Sequence, residues 1–453
     1  MINPSIFKAY DIRGIFPDEI NEKSVERIAR AYVKFTGAKI VAVGCDVRTS
    51  SPALKNALIT GLTAMGAQVI DIGKVPTELL YFAVGFYHYD GGIQVSASHN
   101  PAEYNGLKMI RAGVEAISGD SGLEEIKLIA QGSDELSSDN VGEVHNKDVQ
   151  EDFLDFISAH SSFDNIKPVK IVVNANFGLN GQVFEALLNR LSSTNIELIK
   201  LNFEPDGSFP KGRPDPLVAE NRAEVSAIVK KENADFAICW DADGDRFFVA
   251  DEFGEFVESS ITSALLIAQL LSNVEGEEAV ICDTRNIYAP SFAAENSGAK
   301  LLINKAGHTF IKNRMRSENA IFAGETSGHF YFRDFYYADS GIFAAVVFLN
   351  IIALTNKTVS QLTEPLRTKF FTSGEINFKV KDVNETLKDV EQRFEQGQID
   401  RTDGLSVSFD NWRFNVRASN TEELVRLNLE AKDADLCQQK TTELVEVLRY
   451  HTA

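Results

Sequence analysis

Residues 238–252 read ICWDADGDRFFVADE, an apolar run entering Asp241, Asp243 and Asp245, then Arg246, then a second apolar run. Three carboxylates at alternate positions of one loop repel one another, and a divalent cation among them relieves the repulsion. Oxygen-only ligands select a hard ion such as Mg2+. The plain alternative is a solvated acidic turn between two strands, but ordinary hairpin turns rarely carry three aspartates and an arginine. An EF-hand is excluded. Glu252 stands twelfth from Asp241, but Arg246 stands sixth, where that loop needs glycine. A strand running into DxDG also suits an aspartyl phosphotransferase, with Asp241 as nucleophile and Asp243 as acid/base, and this alternative stays open.

Three more stretches carry reactive groups. In QVSASHNPAEYNGLK (94–108) a strand ends near Ser96 and Pro101 stops any helix, so Ser98 is expected on a tight, exposed loop. The G-x-S-x-G elbow of hydrolases is missing. Adjacent side chains on an extended segment point opposite ways, which makes His99 a poor base for Ser98. The readings left are a structural Ser/Asn turn, or a serine that carries a phosphoryl group with Lys108 as proton carrier or charge partner. In AGETSGHFYFRD (323–334), Glu325, Ser327 and His329 alternate around small residues. That pattern suits a hydroxyl-rich ligand, and it suits a surface turn equally well. In FNVRASNTEELVRLNLE (414–430), Arg417 with Ser419, Asn420 and Thr421 reads as a phosphate cradle or as a helix N-cap with a solvated arginine.

The elements that must position these residues alternate. KIVAVGCD (39–46), a helical stretch (51–66) and AQVIDIG (67–73) make strand, helix, strand, the unit of a parallel sheet. The pattern returns at KPVKIVVNA with IELIKL, and at EAVICDT with KLLINK. Residues 133–152 read as a polar linker and PDGSFPKGRPDP (205–216) as a long loop. After about residue 366 the strands alternate polar and apolar, as in antiparallel sheets. The expected fold is α/β, three similar mixed α/β domains followed by a smaller α+β C-terminal domain around a central cleft. The expected boundaries are 1–147, 148–254, 255–366 and 367–453. Over 453 residues the net charge is −20, which argues against a nucleic-acid binder. No apolar run is long enough to span a membrane, and the N-terminal residues lack a secretory h-region. The four cysteines form no CxxC pair, so a reduced, cytoplasmic protein is expected.

Together the motifs FKAYDIRG (7–14), SASHNP (96–101), DADGDR (241–246), GETSGH (324–329) and RASNTEELVRL (417–427) stand in the order of the α-D-phosphohexomutase family. The chain resembles its bacterial phosphomannomutase/phosphoglucomutase branch from end to end, most nearly the phosphomannomutases of the GDP-mannose route. The resemblance implies a mutase interconverting hexose 6-phosphate and hexose 1-phosphate. Ser98 resembles the phosphoserine, and Asp241, Asp243 and Asp245 with it the Mg2+ site. Arg13, Lys108, Arg246 and His308 resemble the charged groups around the transferring phosphoryl, Lys108 as acid/base. Glu325 and Ser327, with His329 alongside, resemble the readers of the sugar 3- and 4-hydroxyls. Arg417, Ser419, Asn420 and Thr421, with Tyr10 and Arg285, resemble the site for the phosphate that is not reacting.

By the same resemblance, hexose 1,6-bisphosphate is the intermediate and activator, and it turns over between half-reactions. No nucleic-acid or membrane partner is implied, and the expected state is a monomer or weak homodimer. The chain departs from the family at Cys45 in GCDVR, at Ala306 before Gly307 and His308, at NANFGLNG (174–181) and at GRPDPLVAEN (212–221). These touch loop shape more than reacting groups.

Overall fold

The computed structural model describes residues 2–272, 274–418 and 424–452. They form two compact units, Met1–Val257 with His329–Val359, and Glu258–Gly328 with Ser360–Ala453.

The first unit opens with a seven-stranded sheet: β1 (Ile12–Ile15), β2 (Ile40–Cys45), β3 (Gln68–Lys74), β4 (Gly91–Val95), β5 (Tyr104–Arg111), β6 (Glu115–Ala116) and β7 (Val144–Asn146). The order is β1-β5-β4-β2-β3-β7, with β6 beside β5. Strands β4, β2, β3 and β7 run parallel, and β5 runs antiparallel to β4 and to β1. β4 is buried along its whole length and β2 along all but its first residue, which is why the IVAVGC of β2 is continuously apolar rather than alternating. The helix Glu22–Thr36 starts with a reciprocal Asn21/Ser24 capping box. The helix Ser51–Ala64 joins β2 to β3, as the periodicity predicts. The stretch expected as a linker behaves differently. Its residues Val144–Asn146 become edge strand β7, exposed at all three positions, and Gln150 begins a helix. An exposed edge strand leaves no apolar period to read.

Next comes a four-stranded sheet of β8 (Val169–Asn174), β9 (Ile196–Leu201), β10 (Phe236–Trp240) and β11 (Phe247–Ala250), in the order β11-β10-β8-β9. β9, β8 and β10 are parallel, and β11 returns antiparallel with Trp240 opposite Phe247. The aspartates therefore occupy the connection of a two-stranded hairpin. Residues 329–359 complete the unit with a short hairpin, Phe330–Phe332 with Ala338–Asp339, and the helix Gly341–Thr355. That helix is apolar all round because it is buried from Gly341 to Ile352. No single helix of the described residues is long and apolar enough to cross a membrane.

In the second unit the strands Lys300–Asn304, Ala279–Asp283 and Phe322–Gly324 run parallel in that order. A five-stranded antiparallel sheet follows, with Phe371–Lys379, Leu424–Ala431, Trp412–Ala418, Leu405–Ser408 and Gln398–Asp400 side by side. Its core is Val407, Phe414, Val416, Val425, Leu427 and Leu429, covered by the helix Ala434–Tyr450. Because Leu424–Ala431 is a strand paired with Trp412–Ala418, the helix-cap alternative for this stretch does not hold. Ser419, Asn420 and Thr421 lie outside the described residues.

Candidate active site

The hairpin between β10 and β11 buries its acids. Asp241, Asp243 and Asp245 are 0%, 1% and 3% exposed, which overturns the solvated-turn alternative. Gly244 takes a φ of +78°, and a Cβ there would lie 1.8 Å from Asn180 Oδ1. One oxygen from each aspartate lies within 4.8 Å of the others. Asp243 Oδ1 is buried without a hydrogen-bond partner among the described residues. Thr77 Oγ1 donates to Asp243 Oδ2 at 2.8 Å, and the Lys108 ammonium lies 2.5 Å from both Asp243 Oδ2 and Asp245 Oδ2. Burial, then Asp245 and Asp243, push the Asp241 carboxyl well above the usual range. Burial also opposes ionisation of Asp245, but Lys108 and His329 outweigh it and hold that group well down. Three buried carboxyls within reach of one another, with Asp243 Oδ1 left without a partner among the described residues, form an oxygen donor set that fits a divalent, oxygen-seeking ion.

Ser98 faces this cluster, and its Oγ donates to Asp241 Oδ2 at 2.9 Å. Two expectations about it fail. Ser98 is 2% exposed rather than on an open loop. It also has a φ of +50°, so the segment is not extended at that residue. The left-handed turn swings the neighbouring side chains together and sets Ser98 Oγ 3.1 Å from His99 Nδ1. Burial, then Arg246, Arg13 and Arg213, push the His99 imidazolium well down, leaving a neutral ring. Lys108 arrives on β5, opposite Gln94 of β4. Burial works against its charge, yet Asp243 and Asp245 raise it well above the usual lysine range. Arg13 is held by Asp11 and donates to Asn100 Oδ1 at 2.6 Å. Arg246 lies 3.7 Å from Asp241, and its Nε is 3.4 Å from His329 Nε2, which in turn is 3.4 Å from Asp245 Oδ1. Tyr10, half-buried, precedes β1 in this unit.

Glu78 was not singled out by the sequence. It is fully buried, and its carboxylate accepts from Ser340 Oγ, from Asn180 Nδ2 at 2.7 Å and from Ile342 N at 3.2 Å. Burial pushes its carboxyl up to about 8 against these hydrogen bonds.

The second unit gathers another set. Arg285 forms a bidentate pair with Asp283, Nε to Oδ1 at 3.0 Å and a terminal nitrogen to Oδ2 at 2.6 Å. Asp283 also accepts the Thr326 N–H at 2.6 Å, so one carboxylate orders both Arg285 and the loop bearing Glu325 and Ser327. Glu325 is 3% exposed, accepts the Gly307 N–H at 2.7 Å and lies 3.9 Å from Arg285. The 325–328 turn closes with Gly328 N donating to Glu325 O at 3.0 Å. His308 starts the helix that follows Gly307. Arg417 pairs with Glu375 at 3.5 Å. Burial, then nearby Arg285, lower its hold on its proton. Two guanidiniums close enough to repel, with Arg417 Nε lacking a hydrogen bond among the described residues, suit an anion. Asp283 stood unremarked at the end of an apolar strand, where only its partners reveal its work.

The sequence matches four consecutive family descriptions: Phosphoglucomutase/phosphomannomutase, alpha/beta/alpha domain I over residues 4–135, domain II over 151–254, domain III over 259–370, and the C-terminal domain over 375–447. A phosphomannomutase of Salmonella montevideo is 40% identical over 455 residues, spanning 99% of this chain and all (100%) of that protein. A phosphomannomutase of Escherichia coli K12 is 40% identical over 449 residues, spanning 98% of each chain. The crystal structure of a phosphoglucomutase/phosphomannomutase family protein from Burkholderia thailandensis superposes with a TM-score of 0.86 at 30% identity, covering 100% of this chain and 99% of that one. With three mixed α/β domains, a C-terminal domain and similarity along the whole chain, this protein belongs to the phosphoglucomutase/phosphomannomutase family.

Proposed function

We propose that the protein is a phosphohexomutase that interconverts hexose 6-phosphate and hexose 1-phosphate through hexose 1,6-bisphosphate, with mannose phosphates as the favoured substrates. The carrying observation is Ser98 Oγ, buried and 2.9 Å from Asp241 Oδ2 of a three-aspartate cluster. The 40% identical relatives named phosphomannomutase favour mannose.

Phosphoryl transfer depends on positioning and charge neutralisation more than on covalent assistance. Asp241, Asp243 and Asp245 would hold Mg2+, which when bound offsets charge on the phosphoryl oxygens. Transfer exchanges the P–O bond at Ser98 Oγ for one at the hexose oxygen, and the hexose hydroxyl proton ends on Ser98 Oγ. Neutral His99, 3.1 Å from Ser98 Oγ, is suited to relay that proton, and the Lys108 ammonium, held charged by Asp243 and Asp245, is suited to offset the negative charge as it moves. Arg13 and Arg246 supply positive charge, and we assign His308 to the same task. Glu325, Ser327 and His329 read sugar hydroxyls. Arg417, Arg285 and Tyr10, with Ser419, Asn420 and Thr421, take the other phosphate. Four free, buried cysteines suit a reducing cytoplasm, and a monomer or weak dimer without nucleic-acid or membrane partners completes the reading.

Intact mass should show one phosphoryl group on Ser98, lost on incubation with hexose monophosphate. A Ser98→Ala protein with full mutase activity sinks this reading. If Asp241→Asn abolishes turnover while Ser98→Ala does not, Asp241 is the nucleophile instead.

A further inference from the structure

Arg48 has no part in the chemistry above, yet its side chain is completely buried beneath the Ser98 loop. Its guanidinium spends every nitrogen on that loop and on the turn that anchors it. One terminal nitrogen donates to Ser98 O at 2.7 Å and Asn100 O at 2.7 Å. The other donates to Pro101 O at 2.6 Å and Tyr104 O at 3.0 Å. Nε donates to Asp46 Oδ2 at 3.1 Å, and Asp46 Oδ1 accepts the Arg48 N–H at 3.0 Å. Four carbonyls of one short loop thus converge on a single planar cation, an arrangement a lysine point charge cannot reproduce. The 205–216 loop closes on the same group from its other side. Phe209 lies over the guanidinium at 4.9 Å, and Gly207 packs so closely that a Cβ would meet Val47 O at 2.1 Å. Arg213 Nε donates to His99 O at 3.2 Å.

The left-handed backbone at Ser98 needs such support, because a non-glycine residue holds that conformation only where its surroundings impose it. We infer that Arg48 is a positioning residue for phosphoryl transfer, fixing the Ser98 loop through its carbonyls so that Ser98 Oγ stays aimed at the aspartate cluster. The inference rests on the mutase reading above.

The test uses the full-length protein carrying Arg48→Lys or Arg48→Ala. Misplacing a reacting atom by about 1 Å lowers rate by roughly 100-fold, so kcat in Arg48→Lys should fall by about that factor. KM for hexose 1-phosphate should stay within about threefold, because the sugar- and phosphate-holding groups of the second unit are untouched. Phosphoryl transfer from hexose 1,6-bisphosphate onto Ser98, followed by intact mass, should slow in parallel. Millimolar methylguanidinium should restore part of that rate in Arg48→Ala and none in Arg48→Lys. Unchanged kcat in Arg48→Lys, or kcat lost only in proportion to folded protein, overturns the inference. If neither variant folds, Phe209→Ala must show the same split at smaller size, and its absence there is equally fatal. Wild-type protein that never carries phosphate on Ser98 refutes the mutase reading instead.

Discussion

Replacing Lys108 by methionine keeps a chain of similar length but removes the ammonium lying 2.5 Å from both Asp243 and Asp245. At that distance and an effective dielectric of about 20, each contact has a Coulomb energy of ~7 kcal/mol, most of it offset by desolvation. Removing one partner of a buried pair from natural proteins costs about 3–5 kcal/mol, because the other charge stays behind. Here both Asp243 and Asp245, the two acids that touch the ammonium, would stay behind. In chelator, Lys108→Met should therefore melt roughly 6–20 °C below wild type, taking about 2–4 °C per kcal/mol. Trp240 directly precedes Asp241 and its fluorescence reports this unit, while Trp412 reports the other. A divalent ion can take over the lost neutralisation. Mg2+ at about 100 times its dissociation constant stabilises by about 2.7 kcal/mol, and the variant should gain more than wild type, in which the ion competes with Lys108. A chelated variant that melts within about 2 °C of wild type, under the same scaling, refutes the charge balance drawn here. A variant that gains no more from Mg2+ than wild type does so as well.

Glu78 supplies a pH test. Its folded pKa, about 8, is raised above the unfolded value, so its contribution is fully present below the unfolded pKa and is lost as pH rises towards 8. Urea midpoints of wild type should fall between about pH 5 and 8 by an amount worth at most ~5 kcal/mol, and Glu78→Gln should flatten that slope. Gly244→Ala forces a strained φ and a clash with Asn180, so Mn2+ binding followed by electron paramagnetic resonance should weaken by at least about tenfold, equivalent to 1.4 kcal/mol. Arg417→Ala should raise KM for hexose 1-phosphate by about tenfold or more with a smaller change in kcat, since the role proposed for it is to hold the phosphate that is not reacting; steady-state kinetics decide. Arg413 forms a buried pair with Glu430 at 2.9 Å, so Arg413→Met should destabilise the second unit by about 3–5 kcal/mol, read from Trp412 in urea.

The acidic loop was legible because its signal is local. Three aspartates between two apolar runs need no distant partner to be recognised. The strand–helix–strand units were legible for the same reason, as was the alternation of the C-terminal strands. What escaped depends on partners far along the chain. Arg48 reads as one more loop arginine until four carbonyls from residues 98–104 converge on it. Asp283 and Glu78 look like ordinary acids at a strand end and a helix start. His99 was set aside through strand geometry, and the left-handed Ser98 removes that geometric premise by bringing the two side chains to 3.1 Å, since no propensity marks serine for positive φ.

The return of residues 329–359 to the first unit bears on how the chain is made. Glu78 finds Ser340 262 residues later, after the whole 258–328 segment has been synthesised. At about 5–20 residues per second, the ribosome needs roughly 13–52 s to cover that interval. Through that time a carboxyl destined for the interior has neither Ser340 nor Ile342 to meet it. The nascent first unit therefore waits, incomplete, for a helix encoded beyond its neighbour. A ribosome paused between residues 257 and 329 would present the cell with an exposed apolar face rather than a finished domain.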